Sequence, residues 1–343
     1  MHAIRIGALA AAIALAPVLL GQQTTATVTG TATDPTGAAL PKVRVKLTNT
    51  LTNVARETET DYAGVYSIPF LPAGSYQLSA AATGFKTAAV QPFVLQVGQT
   101  ARLDLRLEVG DVAQALDVSA AAAALQTESA SVGAVIDASK IVDLPLNGRN
   151  FVQLAQLVPG VQPGTPGSIT VRRGRGSVGD TSRSFGQTAM SANGARDTNN
   201  RFYLDGVEFM DYDAFSYPFA LSVDSLSEFR VETSTYSAEY GASPGGQVSI
   251  LTRRGTNSLH GTLWEFNRND ALTQTYDAIG DKSVTSPRLN RNQFGANVGG
   301  PVFIPKVYNG KDKTFFFFNW ESGRSTNGAA AGYARVPPAE MRN

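Results

Sequence analysis

The chain has 343 residues, with 29 Lys and Arg against 28 Asp and Glu, two His and no Cys. That balance gives no general case for a nucleic-acid partner, and the missing Cys excludes disulfides, thiolate metal sites, a thiol nucleophile and a lipid-modified N-terminal Cys. With His2 in the leader, only His260 remains, too few for the usual zinc hydrolases and serine triads; chemistry by carboxylates alone stays open. The charged fraction of 17% is low against about 25% in ordinary soluble domains, and 33 Gly suggest strands joined by many turns.

Residues 1–21 read as an export signal: Arg5 and the free amine supply positive charge, and Ile6 to Leu20 is an apolar run of h-region length, short for a membrane span. Cleavage after Gly21 or Ala26 fits the small residues there.

Residues 22–108 read as a small β-sandwich of the immunoglobulin-like kind, with about seven short strands. Val43, Val45 and Leu47 alternate with Arg44, Lys46 and Thr48; Tyr76, Leu78 and Ala80 repeat the pattern, as do Leu103, Leu105 and Leu107. A period of two gives each strand one face to bury. Asp34-Pro35-Thr36-Gly37, Asp61-Tyr62-Ala63-Gly64 and Pro72-Ala73-Gly74 supply turns. Asp34 and Asp61 are read as turn-capping carboxylates, with calcium ligation as the sharper alternative. The runs DPTGAALPKVRVKLTNT and TDYAGVYSIPFLPAGSYQLSA, with Gly84-Phe85 after them, resemble the carboxypeptidase-regulatory-like family. That resemblance implies a fold and no peptidase activity.

Residues 109–142 read as a linker around the run Ala120 to Ala124. Within it, Leu116, Asp117, Val118 and Ser119 resemble a TonB box, an extended peptide that pairs with a strand of a periplasmic energising protein. An ordinary linker or a last sandwich strand is the alternative reading.

Residues 143–255 resemble the plug domain of TonB-dependent outer-membrane receptors. The opening LPLNGRNFVQLAQLVPGV holds a turn at Leu146 to Asn150, then Phe151, Leu154 and Leu157 at helical spacing as core contacts, then a stop at Pro159-Gly160. SANGARDTNNRFYLDGVEFMD follows, with Phe202, Leu204 and Val207 on a hairpin turning at Asp205-Gly206. The later run SEFRVETSTYSAEYG resembles the Oar-like subgroup; its Glu232-Thr233-Ser234 stands where many receptors carry Arg-Gly-Pro, so siderophore-type substrates do not carry over. Between these runs, Arg172, Arg173, Arg175 and Arg183 lie in a Gly- and Ser-rich loop. They could attract an anionic substrate or lipopolysaccharide; a solvated loop is the plainer reading.

Residues 256–343 read as the first strands of a transmembrane β-barrel. Trp264 and Phe266, then Phe294, Ala296 and Val298, then Phe316, Phe318 and Trp320, alternate with mostly polar neighbours. The aromatic sides are expected to meet lipid and the polar sides the lumen. A long polar connection near Asp270 to Leu289 and a tighter one near Pro305 to Lys313 fit an extracellular loop and a periplasmic turn. A plugged transporter has about 22 strands, so three are an incomplete barrel, and the reading expects the parent sequence to continue past Asn343.

The fold expected is therefore mainly β: a sandwich, an α+β plug and an unfinished barrel. The resemblance implies an energised outer-membrane transporter with a TonB-like protein, outer-membrane lipid and an unidentified extracellular substrate as partners, and no cofactor. A surface or adhesion protein that binds through its sandwich is the second reading. A secreted hydrolase built on Asp211 with Asp213, or Glu228 with Glu232, is the third and weakest.

Overall fold

The computed structural model describes residues 25–110, 115–118, 131–144, 146, 149–164, 190–212, 215–236, 240–241, 243–272 and 289–327; the expected export signal lies outside these. Strands dominate throughout. The first unit comprises β1 (Ala26–Thr33), β2 (Arg44–Asn49), β3 (Ala55–Glu59), β4 (Val65–Leu71), β5 (Gly74–Ala81), β6 (Thr87–Val90), β7 (Phe93–Leu95), β8 (Thr100–Arg102) and β9 (Leu105–Arg106). A further strand, β10 (Ala115–Val118), follows them.

Two sheets form from these strands. In one, β1 lies between antiparallel β4 and parallel β8, with β9 also on β1; in the other the order is β10-β6-β5-β2-β3, with β7 on β5. The alternating residues close between them as expected: Val45, Leu47, Leu78, Leu105 and Leu107 are fully buried. Tyr66 enters the same core and donates its hydroxyl to Leu103 O at 2.6 Å, which answers the one polar atom it brings in. Gly30 is required where β1 meets the chain before β9, because a Cβ there would stand 1.9 Å from Leu103 O.

Both candidate calcium carboxylates cap their own turns. Asp34 Oδ1 accepts from Thr36 N, Thr36 Oγ1 and Ala38 N, and Asp61 Oδ1 accepts from Ala63 N and Val65 N. The Thr36 hydroxyl, chiefly, holds the Asp34 carboxyl below its ordinary range. Among the described residues no group of three or more His, Asp and Glu is placed to hold a metal ion.

The second unit comprises β11 (Val132–Asp137), helix α1 (Ala138–Asp143), β12 (Val161–Pro163), β13 (Met190–Ala192), β14 (Arg201–Leu204), β15 (Val207–Glu208), β16 (Leu226–Ser234) and β17 (Gln247–Thr252), five of whose strands form one mixed sheet. Its strand order is β11-β16-β17-β14-β15, while β12 and β13 form a separate pair. The sheet thus begins at Val132, inside the stretch expected to be linker. Asp137 ends β11 and caps α1, accepting from Lys140 N, which explains the abrupt change from strand to helix.

The hairpin at Asp205-Gly206 forms as expected, with Leu204 opposite Val207 and both turn residues at positive φ (48° and 87°). Phe151, Phe202, Tyr217 and Phe229 pack as an aromatic cluster with ring centroids 5.2–5.9 Å apart. Phe151–Leu157 is a 3-10 helix capped by Asn150, and it buries Phe151, Val152, Leu154 and Ala155. Leu157, expected in the core, is 59% exposed: it closes the last turn, and Val158 takes the buried place beside it.

The last unit is an antiparallel sheet of β18 (His260–Asn269), β19 (Leu289–Pro301) and β22 (Phe315–Asn327), with a small hairpin of β20 (Phe303–Ile304) and β21 (Tyr308–Asn309) in the tighter connection. Strands of 10 and 13 residues suffice to cross a bilayer at a tilt. No helix among the described residues is long and apolar enough to cross one, which says nothing about strands.

Register assigns the faces. Phe294, Ala296 and Val298 stand opposite Ser322, Trp320 and Phe318 on one face, and their partners on β18 are Glu265, Leu263 and Gly261. Trp264 and Phe266 therefore belong to the other face, with Gly295 and Gln293 opposite them. The expectation that all three aromatic sets share a lipid side is corrected for β18. Its aromatics turn inward toward the second unit, and Leu263, 84% exposed, turns outward.

Candidate functional site

The inner face of the last sheet, which sets polar residues beside the Trp264 and Phe266 rings, packs against the second unit. Gln293 and Asn297 on β19 are buried, and Glu321 on β22 accepts a hydrogen bond from Ser222 Oγ at 2.5 Å. On the outer face Phe318 and Trp320 are 59% and 50% exposed. A soluble sheet buries its large apolar rings; this one buries Gln293 and Asn297 and leaves Phe318 and Trp320 outward. Gly295 leaves room inside the sheet for its neighbours: a Cβ there would meet the Trp264 ring of β18 at 2.4 Å and Trp320 O of β22 at 2.5 Å.

Arg149 ties the seam together. Its guanidinium pairs with Asp224 of the second unit, lies 4.0 Å from Glu321 Oε2 of the sheet, and sits 4.3 Å from the Phe266 ring centroid. The Arg149 and Asp224 side chains are both more than nine-tenths buried. Burial pushes the Asp224 carboxyl up, while Arg149 and Arg253 pull it back. Arg149 has φ +53°, a left-handed conformation that costs a non-glycine residue of order 1 kcal/mol and is held here by the surrounding contacts. Beside it lies a cleft of about 490 Å³ lined by Ile141, Leu144, Arg149, Phe266, Arg268 and Arg291, among others. Sequence reasoning placed Arg149 only in a turn; nothing in the local pattern signals a partner 75 or more residues away.

A second junction joins the sandwich to the sheet of the second unit. Glu228 Oε1 accepts from Val97 N at 2.6 Å, and Arg230 NH1 donates to Val97 O at 3.1 Å, so one residue's two backbone polar groups are gripped from β16. Burial, with the Asp137 charge adding, pushes the Glu228 carboxyl up to about 7 against the Val97 hydrogen bond and the Arg230 charge. Arg230 also donates to Ser131 Oγ and pairs with Glu232 at 2.9 Å. The suspected Glu228 and Glu232 pair is thus separated by Arg230 and engaged in docking. Of the other pair, Asp213 lies outside the described residues.

The sandwich touches the last sheet as well. Leu51 O accepts from Asn257 N at 3.0 Å, and Asp312 Oδ1 accepts from Asn53 Nδ2 at 2.9 Å and from Asn257 Nδ2 at 2.6 Å. Asp312 belongs to the tighter connection, so the sandwich lies at that end of the strands.

Of the residues singled out from sequence, Leu116, Asp117 and Val118 form part of β10, paired in parallel with β6 from Ala115↔Thr87 to Val118↔Val90. Ser119 lies outside the described residues, as do Arg172, Arg173, Arg175 and Arg183.

Comparison with known proteins agrees with the division seen in the fold. Residues 27–108 match a carboxypeptidase regulatory-like domain, and residues 251–343 match an outer membrane beta barrel domain. The TonB-dependent transporter Oar of Myxococcus xanthus is 26% identical over 291 residues, covering 81% of this chain and 25% of the relative. The chain therefore spans about a quarter of the length of the curated relative it matches. Among solved structures, the siderophore receptor PirA from Acinetobacter baumannii is similar at 17% identity and a TM-score of 0.38, over 57% of this chain and 24% of that one. Catechol 1,2-dioxygenase from Acinetobacter sp. ADP1 is similar at 16% identity and a TM-score of 0.21, over 30% of this chain and 60% of that one. Scores this low carry no argument.

Proposed function

We propose, from the premise that this outer-membrane chain has the domain order of an Oar-like TonB-dependent receptor, that it serves energised transport across the outer membrane. The sheet that buries Gln293 and Asn297 on the side of the second unit and turns Phe318, Trp320 and Leu263 outward carries the reading. On it, the second unit is the plug, the last sheet is the start of the barrel wall, and Arg149 with Asp224 and Glu321 is the seam between them. An unidentified substrate binds from outside. A TonB-like periplasmic protein then pulls on Leu116 to Ser119 and loosens the plug. Arg172, Arg173, Arg175 and Arg183 attract the anionic groups of that substrate.

The position of the sandwich speaks against a surface-adhesion role. It lies at the end of the strands that carries the shorter connection, and short connections are the periplasmic ones in such barrels. A module held there faces away from an external surface.

Deletion of Leu116 to Ser119 tests the reading. Substrate uptake should cease while insertion of the protein into the outer membrane is unchanged. Uptake that persists in the deletion rejects the role given to this segment.

A further inference from the structure

We propose that the cleft beside Arg149 is a subsite for an organic acid with an apolar body: the carboxylate sits between Arg268 and Arg291, and the hydrocarbon lies against Val142, Leu144 and Phe266. This names a class for the substrate, so it deepens the transport reading and rests on it.

The cleft lies between α1, with the residues just after it, and the inner face of the last sheet; its volume of about 490 Å³ is that of a small-molecule site. Register builds its charged end. Phe266 and Arg268 are two apart on β18 and so share a face, and Gln293 and Arg291 of β19 stand opposite them. Residues directly opposite in an antiparallel pair have Cβ atoms about 5 Å apart, and like charges there repel. A carboxylate set between the two guanidiniums relieves that repulsion and accepts from both. Neither Arg has to be idle for this, since each guanidinium carries five N–H donors. Asp143 also lines the cleft and Arg149 is already paired with Asp224, so the balance is two strand cations against one acid. The apolar end is as informative. Phe266 faces the plug and not lipid, yet its ring is exposed, as are Val142 and Leu144 on the plug side. Hydrocarbon left open on an inner face, beside two cations, suits a ligand with both kinds of surface. Arg268 is one residue from the end of β18, at the end of the strands that carries the long connection and away from the sandwich, so the charged end of the cleft lies toward the side from which substrate comes.

Calorimetric titration of the detergent-solubilised full chain, with no energising protein present, tests the assignment. The probe is 4-phenylbutyrate; 4-phenylbutyramide has the same body without the charge, and acetate has the acid without the body. The probe should bind at least about tenfold more tightly than either, the gain expected of charge-assisted hydrogen bonds on one side and of a buried ring on the other. R268Q/R291Q should lose the preference for acid over amide and leave the affinity for the amide unchanged, while R268K/R291K should keep most of that preference. Equal affinity for acid and amide, affinity for acetate that matches the probe, or a preference that persists in R268Q/R291Q would each overturn the proposal. The comparison of the three compounds needs no substitution, so it decides the matter even where a variant fails to insert. These affinities do not involve residues 116–119: their failure sinks the subsite alone, whereas uptake that survives deletion of that segment sinks the role given to the segment and leaves the affinities to decide the subsite.

Discussion

Glu228→Gln isolates the junction between the sandwich and the plug. The carboxyl is pushed up to about 7 by burial, from an ordinary value of 4.5. A raised acid pKa means that the docked state binds more protons than the separated one. Docking is therefore strongest below about 4.5 and weakens as pH rises through about 7. A shift of about 2.5 units corresponds to roughly 3 kcal/mol between the two ends of that window. Gln keeps an oxygen that can accept from Val97 N and carries no charge at any pH. The variant should match the parent at pH 4.5 and dock more firmly at pH 8, by about 3 kcal/mol. Hydrogen exchange at Val97 and Gln99, followed from pH 5 to 8.5 and corrected for intrinsic rates, reads the difference directly. Parallel pH profiles for parent and variant would refute the argument, because the carboxyl would then titrate alike in both states.

Other perturbations address other layers. Arg149→Met should destabilise the plug against the barrel wall by about 3–5 kcal/mol, since it leaves Asp224 buried without its cation; urea unfolding of the detergent-solubilised protein reads this, and a loss below about 1 kcal/mol would mean the seam is held elsewhere. Gly295→Val should reduce correctly inserted protein, because the added carbons meet the Trp264 ring and Trp320 O; overpacking of this kind costs about 1–3 kcal/mol. Tyr66→Phe removes the hydroxyl bonded to Leu103 O and should cost the sandwich about 1 kcal/mol, measured as faster exchange of its core amides.

Much of the architecture was legible from residues alone because it rests on local rules. Alternation marked the buried sets of the sandwich, including Val45 and Leu47, and Asp205-Gly206 marked its hairpin in the plug. Each needs only near neighbours to define it. The face of β18 was not legible. Trp264 and Phe266 alternate with Leu263 and Glu265 as cleanly as Phe316 and Phe318 do with theirs, and alternation says that two faces differ without saying which meets lipid. That choice is made by register against β19, where Gly295 leaves room for an inward indole. The seam was equally hidden: Arg149, Asp224 and Glu321 come from three distant parts of the chain, and each in isolation is an ordinary surface charge. β11 escaped because its six residues, VGAVID, are an edge strand with only Ile136 buried, too weak a pattern to stand out from a linker.

Val97 is buried yet belongs to neither apolar core. What grips it is a carboxylate and a guanidinium acting on its backbone N–H and C=O. The part of the joint that rests on these charged hydrogen bonds is not weakened by cold as apolar burial is. Alkali and competing hydrogen-bonders weaken it more directly than temperature does. Rising pH, by charging Glu228, should therefore loosen this joint before it disturbs either apolar core.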